Sequence, residues 1–171
     1  MNVYIIASPG GHMTQALSVT EAFEGTDLYL ITLDFPNVKE LSLTDIKYIH
    51  RIKLWFGYSI KLGLPITLLV SFLTIFRIFL KRRPHIIFST GSEIAVPAFL
   101  LGRFVFRART IYMESLTRVH DLSMTGKLLY RFAHVFLVQW FELKKNIKKH
   151  FIREDLYDFC YCRSFNRGCG L

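Results

Sequence analysis

At 171 residues, of which 51% are hydrophobic and 15% aromatic, the chain can build one domain with a full core. It is too short for two ordinary domains and too apolar for a disordered tail protein. Its formal charge of +9 selects an anionic partner, whether nucleic acid, lipid headgroup or phosphorylated substrate, and a mean hydropathy of +0.30 points toward a membrane or a large partner surface.

The first element in chain order is a short apolar strand, Asn2–Ala7, read as a strand and not as a signal peptide. It ends in the turn Ser8-Pro9-Gly10-Gly11-His12, and helical spacing of Ala16, Leu17, Thr20 and Phe23 predicts a helix over Thr14–Phe23. Asp27–Leu33 is the second strand and Ile46–Ile52 a weaker third. After the long apolar segment Leu62–Leu80 comes a buried-type strand, His85–Ser89. The small-residue turn Thr90-Gly91-Ser92-Glu93 then leads into a helix over Ile94–Phe106. Arg109–Glu114 is a strand, Ser115–Met124 a loop, Thr125–Phe132 a helix, Val135–Val138 a strand and Phe141–Lys149 a basic helix. Apolar strands alternating with helices predict an α/β fold, a Rossmann-like parallel sheet covered on both faces. Ligands sit at the carboxyl ends of such strands, so the turns after Ala7, Ser89 and Glu114 are the places to seek chemistry.

Each motif has a functional and a structural reading. In the first turn, Gly10 and Gly11 let a ligand approach the backbone and a side chain at Gly11 would obstruct it; the plainer reading is a tight turn with an incidental His12. Thr90, Gly91 and Ser92 repeat the pattern, and two such loops in one sheet suit a diphosphate. Thr125-Gly126-Lys127 is not a P-loop, because Asp121 stands where a glycine is required. Glu114, beside Ser115, Thr117, Arg118 and His120, suits a base or a group that orients sugar hydroxyls; the plainer reading is a Glu114–Arg118 ion pair bracing the loop.

The cations fall in clusters: Arg77, Lys81, Arg82 and Arg83; Arg103, Arg107 and Arg109; Lys144, Lys145, Lys148, Lys149 and Arg153. They stand among long apolar runs, unlike RNA-binding sheets, so nucleic acid is not expected. Residues 62–76 give 15 uncharged positions, fewer than the roughly 20 that span a bilayer. Wound as a helix, Thr67, Ser71, Thr74, Arg77 and Lys81 share one stripe. This predicts a helix lying in the membrane interface through Phe72, Phe76, Arg77, Lys81, Arg82 and Arg83, with a core helix of the domain and a short membrane-spanning helix as the alternatives. Cys160, Cys162 and Cys169, all near the end, form no disulfide framework and no metal pattern. They read as free thiols in a reducing compartment, and neither metal nor cofactor is expected.

Ser8-Pro9-Gly10-Gly11-His12, Ser89-Thr90-Gly91 and above all Ile111–Leu143 (IYMESLTRVHDLSMTGKLLYRFAHVFLVQWFEL) resemble one family. It is the membrane-anchoring, acceptor-side subunit of the two-component UDP-N-acetylglucosamine transferase of lipid-linked oligosaccharide synthesis, with bacterial relatives in capsule and exopolysaccharide assembly. The resemblance covers Asn2 to Lys149. It implies a domain over 1–150, like the N-terminal half of a GT-B glycosyltransferase of the MurG type, and a divergent tail over 151–171. It also implies a heterodimer with a separate nucleotide-sugar-binding catalytic subunit, a lipid-diphosphate saccharide acceptor, and a place on the cytoplasmic face of a membrane. By resemblance, Gly10, Gly11 and His12 match the loop near the acceptor diphosphate, with Ser8, Thr90, Gly91 and Ser92 beside it. Glu114, Ser115 and Arg118 match the loop facing the cleft, and His12 and Glu114 are the catalytic candidates. Gln139-Trp140 also matches, without an assignable chemistry. The eukaryotic members' N-terminal membrane helix has no counterpart here, which favours a bacterial-type member. A stand-alone glycosyltransferase and a peripheral membrane scaffold with a vestigial pocket are the competing functions.

Overall fold

Alternate residues of Asn2–Ile6 (β1) are buried on opposite sides: Tyr4 and Ile6 enter one apolar cluster, Val3 and Ile5 another. A strand apolar on both faces belongs in the middle of a parallel sheet. The computed structural model describes residues 1–34, 46–53 and 63–146, the side chains of 63–67 and 144–146 excepted. β1 pairs in parallel with Asp27–Leu33 (β2) on one side and Ile86–Ser89 (β4) on the other. Ile46–Ile52 (β3) extends the sheet beyond β2, and Arg109–Met113 (β5) and Val135–Leu137 (β6) extend it beyond β4. The order is β3-β2-β1-β4-β5-β6, parallel throughout. This is the doubly wound arrangement expected from the sequence, and the winding reverses between β1 and β4.

One face carries the larger core, into which Gly63–Lys81 (α2), Ala95–Leu100 (α3) and Met124–Leu129 (α4) pack. The other is covered by Gly11–Leu17 (α1) and a 3-10 turn at Thr20–Phe23. Phe141–Asn146 (α5) follows β6.

Three elements differ from expectation. The first helix begins at Gly11, not Thr14, because Gly10 (φ 101°) turns the chain at once and its carbonyl accepts the first helical bond from Thr14 N. It stops at Leu17, where Ser18 Oγ and Thr20 Oγ1 donate to the carbonyls of Gln15 and Leu17 and draw the backbone into the 3-10 turn. The helix after β4 widens to a π-helical turn at Leu101–Val105, closed by Phe106 N donating to Leu101 O at 3.0 Å. In α2, the supposed polar stripe is not presented to solvent as a whole. Ser71 is fully buried in line with Ile75 and Phe79, and Phe79 stacks edge-on against Tyr4 and Phe106. Burying such side chains contributes about 1.5–3 kcal/mol each, so α2 belongs to the core. Its outer flank still exposes Leu69, Val70, Phe72, Leu73 and Leu80. Among the described residues no helix is long and apolar enough to cross a membrane. The side chains of Thr67, Lys144 and Lys145, and residues 147–171 with their cysteines and remaining basic residues, lie outside the described ones.

Candidate functional site

At the reversal point the turns after β1 and β4 are tied together. Ser89 Oγ, at the end of β4, donates to Ile6 O at 2.7 Å and accepts from Gly91 N. His12 Nδ1 lies 3.0 Å from Thr90 O, and Thr90 Oγ1 donates to His12 O at 2.7 Å. A carbonyl oxygen only accepts, so this contact places the proton on Nδ1 and leaves Nε2 of the neutral ring as an acceptor. Gly91 (φ 117°) is packed under the ring: a Cβ there would sit 2.8 Å from His12 Cε1. Ser92 is buried and its hydroxyl finds no partner among the described residues. His12, Thr90, Gly91 and Ser92 are thus brought to one place, with the half-buried Ser8 in the turn after β1. Gly11 departs from expectation. It needs no positive φ and has open space where a Cβ would be, so the conformational demand falls on Gly10.

The third turn is organised by Glu114, one residue past β5. Its carboxylate is fully buried: Oε1 accepts from Ser115 N, and Oε2 accepts from Ser123 N and Ser123 Oγ. The loop between these serines is closed on the carboxylate through backbone amides, not through Arg118. Ser123 Oγ also caps α4 by accepting from Gly126 N, and a Cβ on Gly126 would collide with the Glu114 carboxylate. Burial, with the Glu114 charge adding to it, pushes the Tyr112 phenol far above its ordinary range, so Tyr112 remains a neutral hydroxyl 3.1 Å from Ser123 Oγ. Ser115 is half-buried, with its Oγ 3.0 Å from Thr117 Oγ1, and Arg118 is exposed.

Two glutamines absent from the sequence-derived site bind this turn to its neighbours. Buried Gln15, on α1 one turn after His12, donates to Glu114 O at 3.1 Å and accepts from Leu116 N. Gln139 donates to the same carbonyl at 2.9 Å, and Trp140 Nε1 donates to Leu116 O at 2.7 Å. The Gln139-Trp140 pair therefore fixes the third turn. A polar Gln15 between apolar Met13 and Ala16 was the available signal. The rim beside this turn is apolar and exposed: Leu116, Met124, Trp140 and Phe141. Among the described residues no cluster of His, Cys, Asp and Glu is arranged to hold a metal ion.

Of the residues expected to meet a membrane, Phe72 is exposed, whereas Phe76 is half-buried against Phe106. Arg83 directs Nε and Nη2 to Phe106 O, and Arg82 donates Nη1 to the Tyr29 hydroxyl. Arg77 and Lys81 are exposed.

Solved structures with this fold include MurG of Acinetobacter baumannii (TM-score 0.66, 20% identity). The UDP-GlcNAc 2-epimerase of Methanocaldococcus jannaschii, in complex with UDP-GlcNAc and UDP, is another (TM-score 0.69, 16% identity). They match 82% and 91% of this chain, which spans 42% and 45% of theirs. Among curated relatives, the human UDP-N-acetylglucosamine transferase subunit ALG14 is 25% identical over 174 residues, 87% of this chain and 80% of that one. The subunit of the same name from Yarrowia lipolytica is 32% identical over 147 residues, 82% of this chain and 61% of that one. The family model described as "Oligosaccharide biosynthesis protein Alg14 like" matches residues 3–153. The chain belongs to the Alg14-like family of oligosaccharide biosynthesis proteins.

Proposed function

We propose that this chain is the acceptor-side subunit of a two-part glycosyltransferase, inactive alone, which docks a nucleotide-sugar-binding catalytic subunit over the carboxyl edge of its sheet. The observation that carries this reading is the rim of Leu116, Met124, Trp140 and Phe141, exposed next to a turn that is otherwise tightly satisfied. Exposed aromatic and aliphatic side chains clustered beside a satisfied polar turn have the composition of a protein–protein interface. The relatives' name, transferase subunit, supports the same arrangement.

In this reading a lipid-diphosphate saccharide lies across the reversal point between the Gly10 and Gly91 turns. His12 Nε2 takes the proton from the attacking sugar hydroxyl, while Nδ1 is held by Thr90 O. Ser8 and Ser92 supply hydroxyls to the phosphates, and Arg118 and Ser115 face the partner's sugar nucleotide. The loop that Glu114 closes positions these groups. The outer flank of α2 rests on the cytoplasmic face of the membrane from which the acceptor is drawn.

The test is transfer of N-acetylglucosamine to a lipid-diphosphate acceptor by the purified chain, by its catalytic partner and by the mixture. Activity in the mixture alone is expected, with Trp140→Ala and Phe141→Ala together weakening partner affinity by about 2 kcal/mol or more. Transfer by this chain with the partner rigorously excluded would make it a stand-alone enzyme. A mixture that assembles but never transfers would make it a scaffold.

A further inference from the structure

Toward the amino ends of the strands, across the sheet from the reversal point, a cleft of about 360 Å³ opens between α2 and the first three strands. Its floor is a ladder of tyrosines: the Tyr4 and Tyr29 rings stack at 4.9 Å, and those of Tyr29 and Tyr48 at 6.0 Å. Its walls are cationic. Arg77 and Lys81 come from α2, Arg82 from just beyond it and His50 from β3, and among the described residues no carboxylate lines the cleft.

Arg82 is held in position by its Nη1 bond of 3.0 Å to the Tyr29 hydroxyl and by the Tyr48 ring, whose centroid is 5.3 Å from Cζ. A guanidinium has five N–H groups, so this anchoring leaves donors for an anion. Burial holds the His50 imidazole below its ordinary pKa, with Lys81 and Arg82 adding to the effect. The Tyr4 and Tyr29 hydroxyls are buried and engaged with Arg82, and Asp27, the acid near enough to act on Arg82, is paired with Lys47. The cleft thus presents the cations of Arg77, Lys81 and Arg82, which fits a phosphate group.

The direction of α2 identifies what carries that phosphate. Val70, Thr74, Arg77 and Lys81 follow one another at spacings of four, three and four, along the flank that borders the cleft. Leu73, exposed, precedes Arg77 and Lys81 by one and two turns, about 6 and 12 Å along the axis. An apolar surface therefore runs directly into the mouth of a cationic pocket. We infer that the cleft binds the phosphate of an anionic phospholipid, whose acyl chains lie against Leu69, Val70 and Leu73. This rests on the membrane contact proposed above but not on the transferase reading.

The experiment uses the full chain in complex with its partner. The probes are glycerol 3-phosphate, vesicles of phosphatidylcholine, and the same vesicles doped with phosphatidic acid. Saturable glycerol phosphate binding that shifts the His50 imidazole resonances is expected, as is preference for the doped vesicles. Arg77→Gln with Lys81→Gln, both exposed and outside the core, should weaken both by at least about tenfold. Lys127→Gln with Arg131→Gln, which removes the same charge from α4 and its end, should not. Arg82→Gln, checked for an unchanged melting curve, should act like the first pair.

Equal losses in the two double variants would show diffuse attraction and overturn the cleft assignment, as would absence of saturable phosphate binding. Loss of glycerol phosphate binding with intact vesicle preference would make this a site for soluble phosphates and overturn the lipid assignment. If Leu69→Glu with Leu73→Glu leaves binding to plain phosphatidylcholine unchanged, the membrane contact itself is wrong. If plain binding depends on those leucines while the doped vesicles gain nothing, only the cleft is wrong.

Discussion

His12 and Thr90 hold each other in both directions, Nδ1 to the Thr90 carbonyl at 3.0 Å and the Thr90 hydroxyl to the His12 carbonyl at 2.7 Å. One contact orients the ring and fixes its tautomer; the other holds the backbone from which the ring projects. His12→Ala therefore removes both the nitrogen proposed to take the proton and the partner of a buried carbonyl. In the reconstituted complex we expect turnover to fall at least about tenfold, equivalent to about 1.4 kcal/mol. The melting midpoint should also drop by the equivalent of about 1 kcal/mol. Wild-type turnover and acceptor KM in His12→Ala would reduce the residue to a brace between two turns.

The glycines of the first two turns separate by conformation. Gly10 (φ 101°) and Gly91 (φ 117°) occupy backbone regions costly for any side chain, and a Cβ on Gly91 would also press on the His12 ring. Gly10→Ala and Gly91→Ala should each destabilise the fold by about 1–3 kcal/mol, whereas Gly11→Ala should melt like the parent. Chemical denaturation of the three variants decides the matter, and a Gly11→Ala loss as large as the others would contradict it.

Glu114 is tested best by separating loop order from chemistry. With three hydrogen-bond donors on a buried carboxylate, Glu114→Gln should lower stability by about 1–3 kcal/mol and admit protease cleavage within Ser115–Asp121. Gly126→Ala should mimic it, since its methyl displaces the same carboxylate. An unchanged protease pattern in Glu114→Gln, alongside lost transfer, would mean that the carboxylate acts in the reaction itself.

The two flanks of α2 should respond oppositely to charge. Leu69→Glu and Leu73→Glu lie on its exposed side and should release the protein from vesicles with the fold intact. Ile75→Glu, pointing into the core, should abolish folding, and Phe76→Glu should destabilise through its contact with Phe106. Circular dichroism beside vesicle sedimentation measures both effects. Unaltered sedimentation of the two exposed variants would exclude α2 as the contact.

Acid should weaken the fold through two histidines held below their ordinary pKa. His50 owes this to burial, then to Lys81 and Arg82; His134 owes it to burial, then to Arg103 and Arg109. His134 Nδ1 also accepts from Thr110 N at 3.1 Å, a bond that the protonated ring cannot make. Below about pH 6.5 the unfolded chain binds more protons than the folded one, so stability falls as pH drops through that value and is fully present above it. His50→Gln with His134→Gln should flatten this part of the stability curve in denaturant titrations; an unchanged slope would show that other groups carry it.

The sheet could be read from the sequence because burial on both faces leaves strands such as Asn2–Ile6 and Ile86–Ser89 uniformly apolar, and turn residues mark their ends. The first helix was placed three residues late because its apolar spacing begins only at Ala16, while its start is set by the conformation of Gly10. Glu114 was legible as a residue at the right edge, but not as an inward one. Its direction depends on Ser123 returning from nine residues away, which no local pattern encodes. The tyrosine ladder was invisible for a related reason: Tyr4, Tyr29 and Tyr48 become neighbours only once the strand order is known.

Trp140 gives this molecule an optical handle. Its indole N–H is pinned to the Leu116 carbonyl while 40% of the residue stays exposed beside Phe141. A subunit settling on that rim would strip water from one face of a fluorophore that is already immobilised. With Trp55, the second tryptophan, replaced by Phe, the emission should shift to shorter wavelength as the partner is titrated in. The same residue that ties down the loop would then report, in real time, the moment at which the loop is covered.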